Sequence, residues 1–274
     1  LVAFADERRK AKAGASRRFP KEDTEQFSPH VLLELDSIRM KLERIKSSKL
    51  RMPLFLCLSA ILVKVSQKES DTSDRQGPRR IAAGYTAKLF GKKVEELVER
   101  REIFSEALPD PRPKSIVQLD DAAKLGKIAP KSIDSVITSP PYAATYDYLS
   151  HHDMRIRWLD LAIDTFERRE VGSRRAYATL TGPTALEKAI EEARQYMTAM
   201  ARVLKPDGQV VLVVGDSAVK QFALRADFIV REAAKKTPLS YVAHATQTRP
   251  HFHAATAAAF IDSPRAEHAI VLRA

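Results

Sequence analysis

The sequence predicts an α/β fold, with a mostly parallel sheet in residues 113–274 and a mainly helical, basic segment over residues 1–112. Three observations lead there. After residue 113, short apolar stretches alternate with helical ones, the order that builds a parallel sheet. Before it, apolar residues recur at helical spacing. Between the two textures, Pro109, Pro111 and Pro113 form a stiff connector. The 274 residues are 44% hydrophobic and 30% charged, a globular mix that excludes wholesale disorder.

In the first segment, residues 1–13 read as the tail of a helix and Arg17 to Gln26 as a polar linker. Ser28-Pro29 is a helix start, with serine as N-cap and proline at the first helical position. Val31, Leu32, Leu35, Ile38, Leu42 and Ile45 then mark an amphipathic helix to about Lys46. The apolar run Pro53–Val63 predicts a buried helix, because a membrane span needs about 20 such residues. A polar stretch, Lys64–Ser73, and the breaker Gln76-Gly-Pro78 precede a helix over Lys92–Ala107.

In the second segment, Ser115–Leu119 reads as a strand ending at Asp120-Asp121, and Ile133–Ile137 as a strand running into Thr138-Ser-Pro-Pro-Tyr142. Thr184 and Glu187 make a capping box for a long helix carrying Leu186, Ile190, Met197, Met200 and Leu204. Lys205-Pro-Asp-Gly208 turns it into Gln209–Val214, a run so apolar that it predicts burial on both faces, ending at Gly215-Asp-Ser217. Ser240–Ala245 and His268–Leu272 complete the strands. Ligands of such sheets sit beyond the carboxyl ends of the strands, where Asp121, Ser-Pro-Pro-Tyr and Gly-Asp-Ser all fall.

Forty-six Lys and Arg against 35 Asp and Glu give a net charge of +11, which fits a polyanionic partner such as nucleic acid. Arg174, Arg175 and the Lys64–Ser73 stretch, with Lys64 and Ser66, are the expected phosphate contacts. No Gly-x-Gly pair exists, which excludes an intact glycine-rich nucleotide loop. The lone Cys57 excludes an internal disulfide framework and reads as a core residue. His151-His152-Asp153 and His251-Phe-His253 are the metal-like clusters, and neither has a third ligand at convincing spacing. The opening Leu-Val-Ala-Phe lacks the order of a secretory signal, so an intracellular setting and no membrane partner are expected.

Ser139-Pro140-Pro141-Tyr142, directly after an apolar strand, is the most informative motif. By composition it occurs by chance in about one in a thousand chains of this length. It resembles the catalytic motif of the amino-group nucleic-acid methyltransferases, which methylate an exocyclic amine of cytosine or adenine from S-adenosylmethionine. Leu58–Ser66, Ser70–Ser73, Glu170–Arg175, Val203–Gly208 and Glu267–Leu272 are similar to the same family, in the same order. The resemblance implies a class I methyltransferase-like, Rossmann-like sheet. It implies that the Ser139 hydroxyl and the Pro140 carbonyl accept from the amine, freeing its lone pair, while the tandem prolines preposition both. Tyr142 would stack on a flipped base. Asp121, or its neighbour Asp120, would face the cofactor adenine, and Asp216 and Ser217 would line the same cleft. Serine in first place leans toward cytosine-N4 in DNA over adenine-N6, and RNA amines are served by the same motif.

The chain departs from the family where the glycine-rich cofactor loop and the acidic residue after the second strand should stand. Both lie, in the family, before a helix resembling Leu1–Arg9. The expectation is that the first strand, its helix and the second strand are absent upstream, in keeping with the missing initial Met. In the usual strand order 3-2-1-4-5-7-6, strand three must then pair directly with strand four, or a missing segment or partner chain must fill the gap. Alone, the chain is expected to bind S-adenosylmethionine weakly or not at all. The setting implied is a prokaryotic cytoplasm and restriction–modification. A nucleic-acid-binding remnant without catalysis is the rival reading.

Overall fold

The computed structural model describes residues 1–70, 77, 79–163, 166–250 and 254–274. Ser70–Ser73 therefore lies mostly outside the described residues, and His251-Phe-His253 lies wholly outside them. The chain forms two compact units, Leu1–Lys114 with Leu149–Asp164, and Ser115–Tyr148 with Thr165–Ala274. The sequence reading divided the chain once, at residue 112; in the structure the stretch 149–164 joins the helical unit.

The helical unit contains α1 (Val2–Lys10), α2 (Lys21–Gln26), α3 (Pro29–Glu43), α4 (Ser48–Leu62), α5 (Tyr85–Ala107) and most of α6 (Tyr148–Leu159). The expected linker Arg17–Gln26 thus carries a short helix. Helix α4 starts at Ser48, so Pro53 lies inside the helix and leaves the Lys49 carbonyl without its usual i+4 donor. Helix α5 begins at Tyr85, earlier than Lys92, because the buried Glu34 carboxylate accepts from Gly84 N at 2.5 Å and Ala87 N at 3.2 Å and satisfies its first turn. Val31, Leu35, Ile38 and Leu42 of α3, Leu58 and Ile61 of α4, and Trp158 of α6 form its core. Cys57 is a buried free thiol within that cluster.

The second unit holds β1 (Ile133–Thr138), β2 (Leu204–Gly215), β3 (Ser217–Val219), β4 (Phe222–Leu224), β5 (Ser240–Thr248) and β6 (Ala266–Arg273). Its helices are α7 (Phe166–Arg169), α8 (Arg174–Tyr177), α9 (Gly182–Val203) and α10 (Ala226–Ala234). The main sheet has the order β1-β2-β6-β5; β1 and β2 are parallel, and β6 is antiparallel to both β2 and β5. The mostly parallel sheet expected from the sequence is therefore a mixed one. Strands β3 and β4 form a separate hairpin.

The expected strand Ser115–Leu119 is not formed, so its direct pairing with the next strand is overturned. Ile116, Val117 and Leu119 are 69%, 98% and 89% exposed, and the outer edge of β1 has no partner among the described residues. An apolar, β-branched run makes a strand only where a neighbour accepts its hydrogen bonds. The burial expected on both faces of Gln209–Val214 is also corrected. Val210, Leu212 and Val214 are buried against α9 and α10, whereas Val211 and Val213 are half-buried. The turn expected at Lys205–Gly208 lies inside β2 as an irregularity in its pairing with β1. Helix α9 is capped by Thr181, not Thr184: the Thr181 hydroxyl accepts from Thr184 N at 3.4 Å, and Pro183 occupies the first turn. Among the described residues, no helix is long and apolar enough to cross a membrane.

Candidate active site

The site is built at the carboxyl end of β1, where Thr138 passes into the tetrapeptide. Ser139 and Pro141 are exposed, Pro140 is buried and Tyr142 is half-buried. Two proline rings fix φ at successive positions, so the loop leaves the strand along one path.

Tyr142 is held at three points. Its hydroxyl donates to Glu267 Oε1 of β6 at 2.8 Å. Its ring lies on Gly215 at the end of β2, so close that a Cβ there would stand 2.6 Å from Cε2. Its carbonyl lies over Gly172, whose φ of +70° and missing side chain permit the approach; a Cβ there would be 3.0 Å from that oxygen. One side of the ring is thus packed on the sheet. Burial first, and then the bond to Glu267, push the Tyr142 phenol above its ordinary value, against an opposing hydrogen bond with the Ser139 hydroxyl. Glu267 is held below the usual carboxylate range by the Tyr142 hydroxyl and then by Arg249, which donates to Oε2 at 2.8 Å.

The sign of this coupling gives a pH prediction. A phenol raised in the folded state contributes stability below its unfolded value of about 10, lost as pH rises through the folded value. Glu267→Gln should lower the Tyr142 midpoint, read as the difference in phenolate absorbance between the protein and its Tyr142→Phe variant. An unchanged midpoint in Glu267→Gln would show that the carboxylate does not set it.

The next stretch, Tyr146-Asp147-Tyr148, is tied to Glu170–Arg175. The buried Asp147 carboxylate accepts from Ser173 Oγ at 2.7 Å, Arg175 N at 3.0 Å and Arg175 Nε at 3.2 Å. Glu170 accepts from Tyr148 N at 2.5 Å and Arg175 Nη2 at 3.1 Å. Burial pushes the Asp147 carboxyl up, but the Arg175 N–H, the Ser173 hydroxyl and the guanidinium outweigh it and hold it low. Arg175, its side chain 46% exposed, bridges the two buried carboxylates Asp147 and Glu170. Arg174 is likewise half exposed, 3.5 Å from Asp147, and it lines an open cleft with Tyr146, Ser217, Lys220 and Arg265.

Asp216 also departs from expectation. It is 1% exposed, and its carboxylate accepts from Arg225 Nη1 at 2.8 Å, Ala226 N at 2.9 Å and Ala266 N at 3.1 Å, with His268 Nε2 at 3.3 Å. It closes the start of α10 and the start of β6 onto the end of β2, with its acceptor capacity spent inward. Asp216, Asp227 and His268 have potential ligand atoms within 4.8 Å of one another. Arg225 and the two backbone donors already occupy the Asp216 oxygens, so a cation would compete with three donors there. Ser217 is buried beside it on the wall of two clefts.

Asp121 faces an open cleft of about 710 Å³, with Arg169 Nη1 at 3.5 Å and its Oδ1 accepting from Ala123 N at 3.0 Å. Asp120 is spent on its own turn, accepting from Asp121 N and Lys127 N. In the helical unit, Lys64 is exposed, but Ser66 is fully buried, its hydroxyl donating to Val63 O and accepting from Lys68 N. Ser66 is a turn residue, not a phosphate contact. Asp153 pairs with Arg157, which also reaches Asp23 at 2.9 Å, so His151-His152-Asp153 is not gathered as a metal centre.

Of the expected cofactor contacts, only Asp121 presents a partly exposed carboxylate. Asp216 and Ser217 are buried, so these expected contacts alone do not make a site for S-adenosylmethionine. Glu267, Gly215, Gly172, Asp147 and Glu170 were missed as site residues. The similarity of Glu170–Arg175 and Glu267–Leu272 to the methyltransferases was the sequence signal for Glu170, Gly172 and Glu267, and the Gly215-Asp-Ser217 cluster at a strand end was the signal for Gly215.

No protein-family model matches the sequence, and no curated protein matches it. Among solved structures, the chain is similar to a candidate DNA modification methylase of Thermus thermophilus, with 21% identity over 57% of this chain and 52% of that one, at a TM-score of 0.30. The same protein complexed with S-adenosyl-L-methionine matches at 20% identity over 57% and 53%, with a TM-score of 0.31. The chain spans about half the length of the structures it matches.

Proposed function

We propose that this chain carries the base-activating half of an S-adenosylmethionine-dependent methyltransferase that modifies an exocyclic amine in DNA, cytosine-N4 first and adenine-N6 second. The observation that carries the reading is the clasped Ser139-Pro140-Pro141-Tyr142 loop at the carboxyl end of β1. The order β1-β2-β6-β5, with β6 reversed, supports it, because it matches the 4-5-7-6 half of the order implied by the resemblance. An exocyclic amine is a poor nucleophile while its lone pair is delocalised into the ring. Hydrogen bonds from both N–H groups, to Ser139 Oγ and the Pro140 carbonyl, draw the nitrogen toward tetrahedral geometry and localise the pair. Preorganised acceptors do this without reorganisation cost at the moment of reaction.

The open edge of β1 is then where a further segment or a partner chain would add the strands that hold the cofactor. A prokaryotic restriction–modification setting fits this activity. The saturated Asp216 favours a second reading, a binder that catalyses nothing. RNA is the alternative substrate.

The deciding experiment offers the intact gene product labelled S-adenosylmethionine with DNA or RNA and analyses the nucleosides after digestion. N4-methylcytosine in DNA is the expected product, lost in Ser139→Ala with DNA binding retained. Full turnover in Ser139→Ala would overturn the mechanism. Absence of any methylated nucleoside, with DNA still bound, would establish the binder.

A further inference from the structure

We propose that the cleft between Tyr146, Arg174, the β3–β4 hairpin and Arg265 is a nucleotide-phosphate site, with Tyr146 as an aromatic platform for a base. The inference rests on the reading above only for its choice of nucleic acid as the source of the nucleotide. The cleft has a volume of about 440 Å³, within the usual range for a small-ligand site.

Its charge is one-sided. Arg174 is half exposed, Lys220 is exposed and Arg265 is half-buried. The carboxylate on the wall, Asp216, is turned inward to its four donors. Arg265 Nε donates to the Asp216 carbonyl at 2.9 Å, which sets its guanidinium against the wall. A phosphate would meet Lys220 and Arg265 directly and would compete with the buried Asp147 carboxylate for Arg174.

The aromatic part sits beside the cations. Tyr146 is 40% exposed, and its carbonyl accepts from Arg174 N at 2.9 Å, so ring and guanidinium are carried on adjoining backbone. Tyr142 has its hydroxyl on Glu267 and one side of its ring against Gly215. Stacking on an aromatic face accepts any base and contributes about 1–3 kcal/mol per base.

Lys220 supplies an independent observation. It stands at the tip of the hairpin with φ of +56°, a conformation that suits Gly or Asn and strains a long side chain. Asparagine suits that conformation, so Lys220→Asn removes the charge without disturbing the tip.

The test titrates the chain with deoxycytidine 5′-monophosphate, deoxycytidine, inorganic phosphate and a short single-stranded oligodeoxycytidylate, followed by calorimetry. The monophosphate should bind at least tenfold more tightly than the nucleoside and than phosphate alone. Lys220→Asn should fold at least as stably as the parent and lose most of that phosphate advantage; Arg174→Ala should lose a further part. Tyr146→Leu should weaken the monophosphate and the nucleoside alike and leave phosphate unchanged. Tighter binding of the oligonucleotide than of the monophosphate supports a strand as the source, and the reverse overturns the strand in favour of a free nucleotide. Equal affinity for nucleotide and nucleoside, or an unchanged advantage in Lys220→Asn, overturns the site. These are equilibrium readouts, so absence of methyl transfer, which would sink the function proposed above, leaves this test intact.

Discussion

Gly215→Ala is expected to lower methyl transfer by the intact protein about a hundredfold while leaving its folding cooperative. The added Cβ would meet Tyr142 at 2.6 Å from Cε2 and 2.9 Å from Cδ2, distances that real contacts do not reach. The ring has little room to yield. Its hydroxyl is held by Glu267, its carbonyl abuts Gly172, and its backbone leaves two prolines whose φ is fixed. The strain therefore passes to the tetrapeptide, and a displacement of about 1 Å at reacting groups costs roughly 10² in rate. Overpacking itself costs about 1–3 kcal/mol of stability. Rates of transfer and thermal melts of the same preparation separate the two effects. The Tyr142 titration should fall toward that of free tyrosine in this variant, which gives a readout independent of turnover. A variant with parental turnover and an unmoved phenol would show that the ring does not fix the loop.

The elements legible in the sequence were those whose cause is local. Strand β1 and the loop after it are written in one stretch, an apolar run followed by two prolines, and the structure extends the expected strand by Thr138 alone. Helix α3 follows from Ser28-Pro29 and an apolar stripe, and ends within three residues of its expected limit. What failed depends on partners distant in the chain. Ser115–Leu119 has the pattern of a strand but no neighbour among the described residues to accept its hydrogen bonds, so its side chains stay in solvent. Arg175 reads as a surface cation and is one, but its partners Asp147 and Glu170 reach it only through the fold. Glu267 reads as a polar residue at a strand start, and only the pairing of β2 with β6 puts it under Tyr142. The resemblance to the methyltransferases marked both stretches without assigning them roles. Roles came from contacts across 28 and 125 residues of chain, which no local pattern encodes.

Asp216→Ala is expected to cost about 3–5 kcal/mol of stability. The carboxylate replaces water for two backbone N–H groups, Ala226 and Ala266, and for the Arg225 guanidinium. Each would be left without its acceptor in a place where water is largely excluded, and an orphaned donor costs about 1–3 kcal/mol. The contacts also tie three elements together: the end of β2, the first turn of α10 and the first residue of β6. A loss of that size in a unit of this length should lower the melting midpoint by roughly 10 °C. Asp216→Asn is the sharper variant, since it keeps the shape but turns one acceptor into a donor facing donors. If Asp216 instead served a cofactor, as its place after a strand suggested, Asn would melt like the parent and lose only ligand binding. A midpoint within about 2 °C of the parent in both variants would refute the structural role. A shared large drop, with Ser139→Ala unchanged in stability, would separate the residue that holds the site together from the residue that faces the substrate.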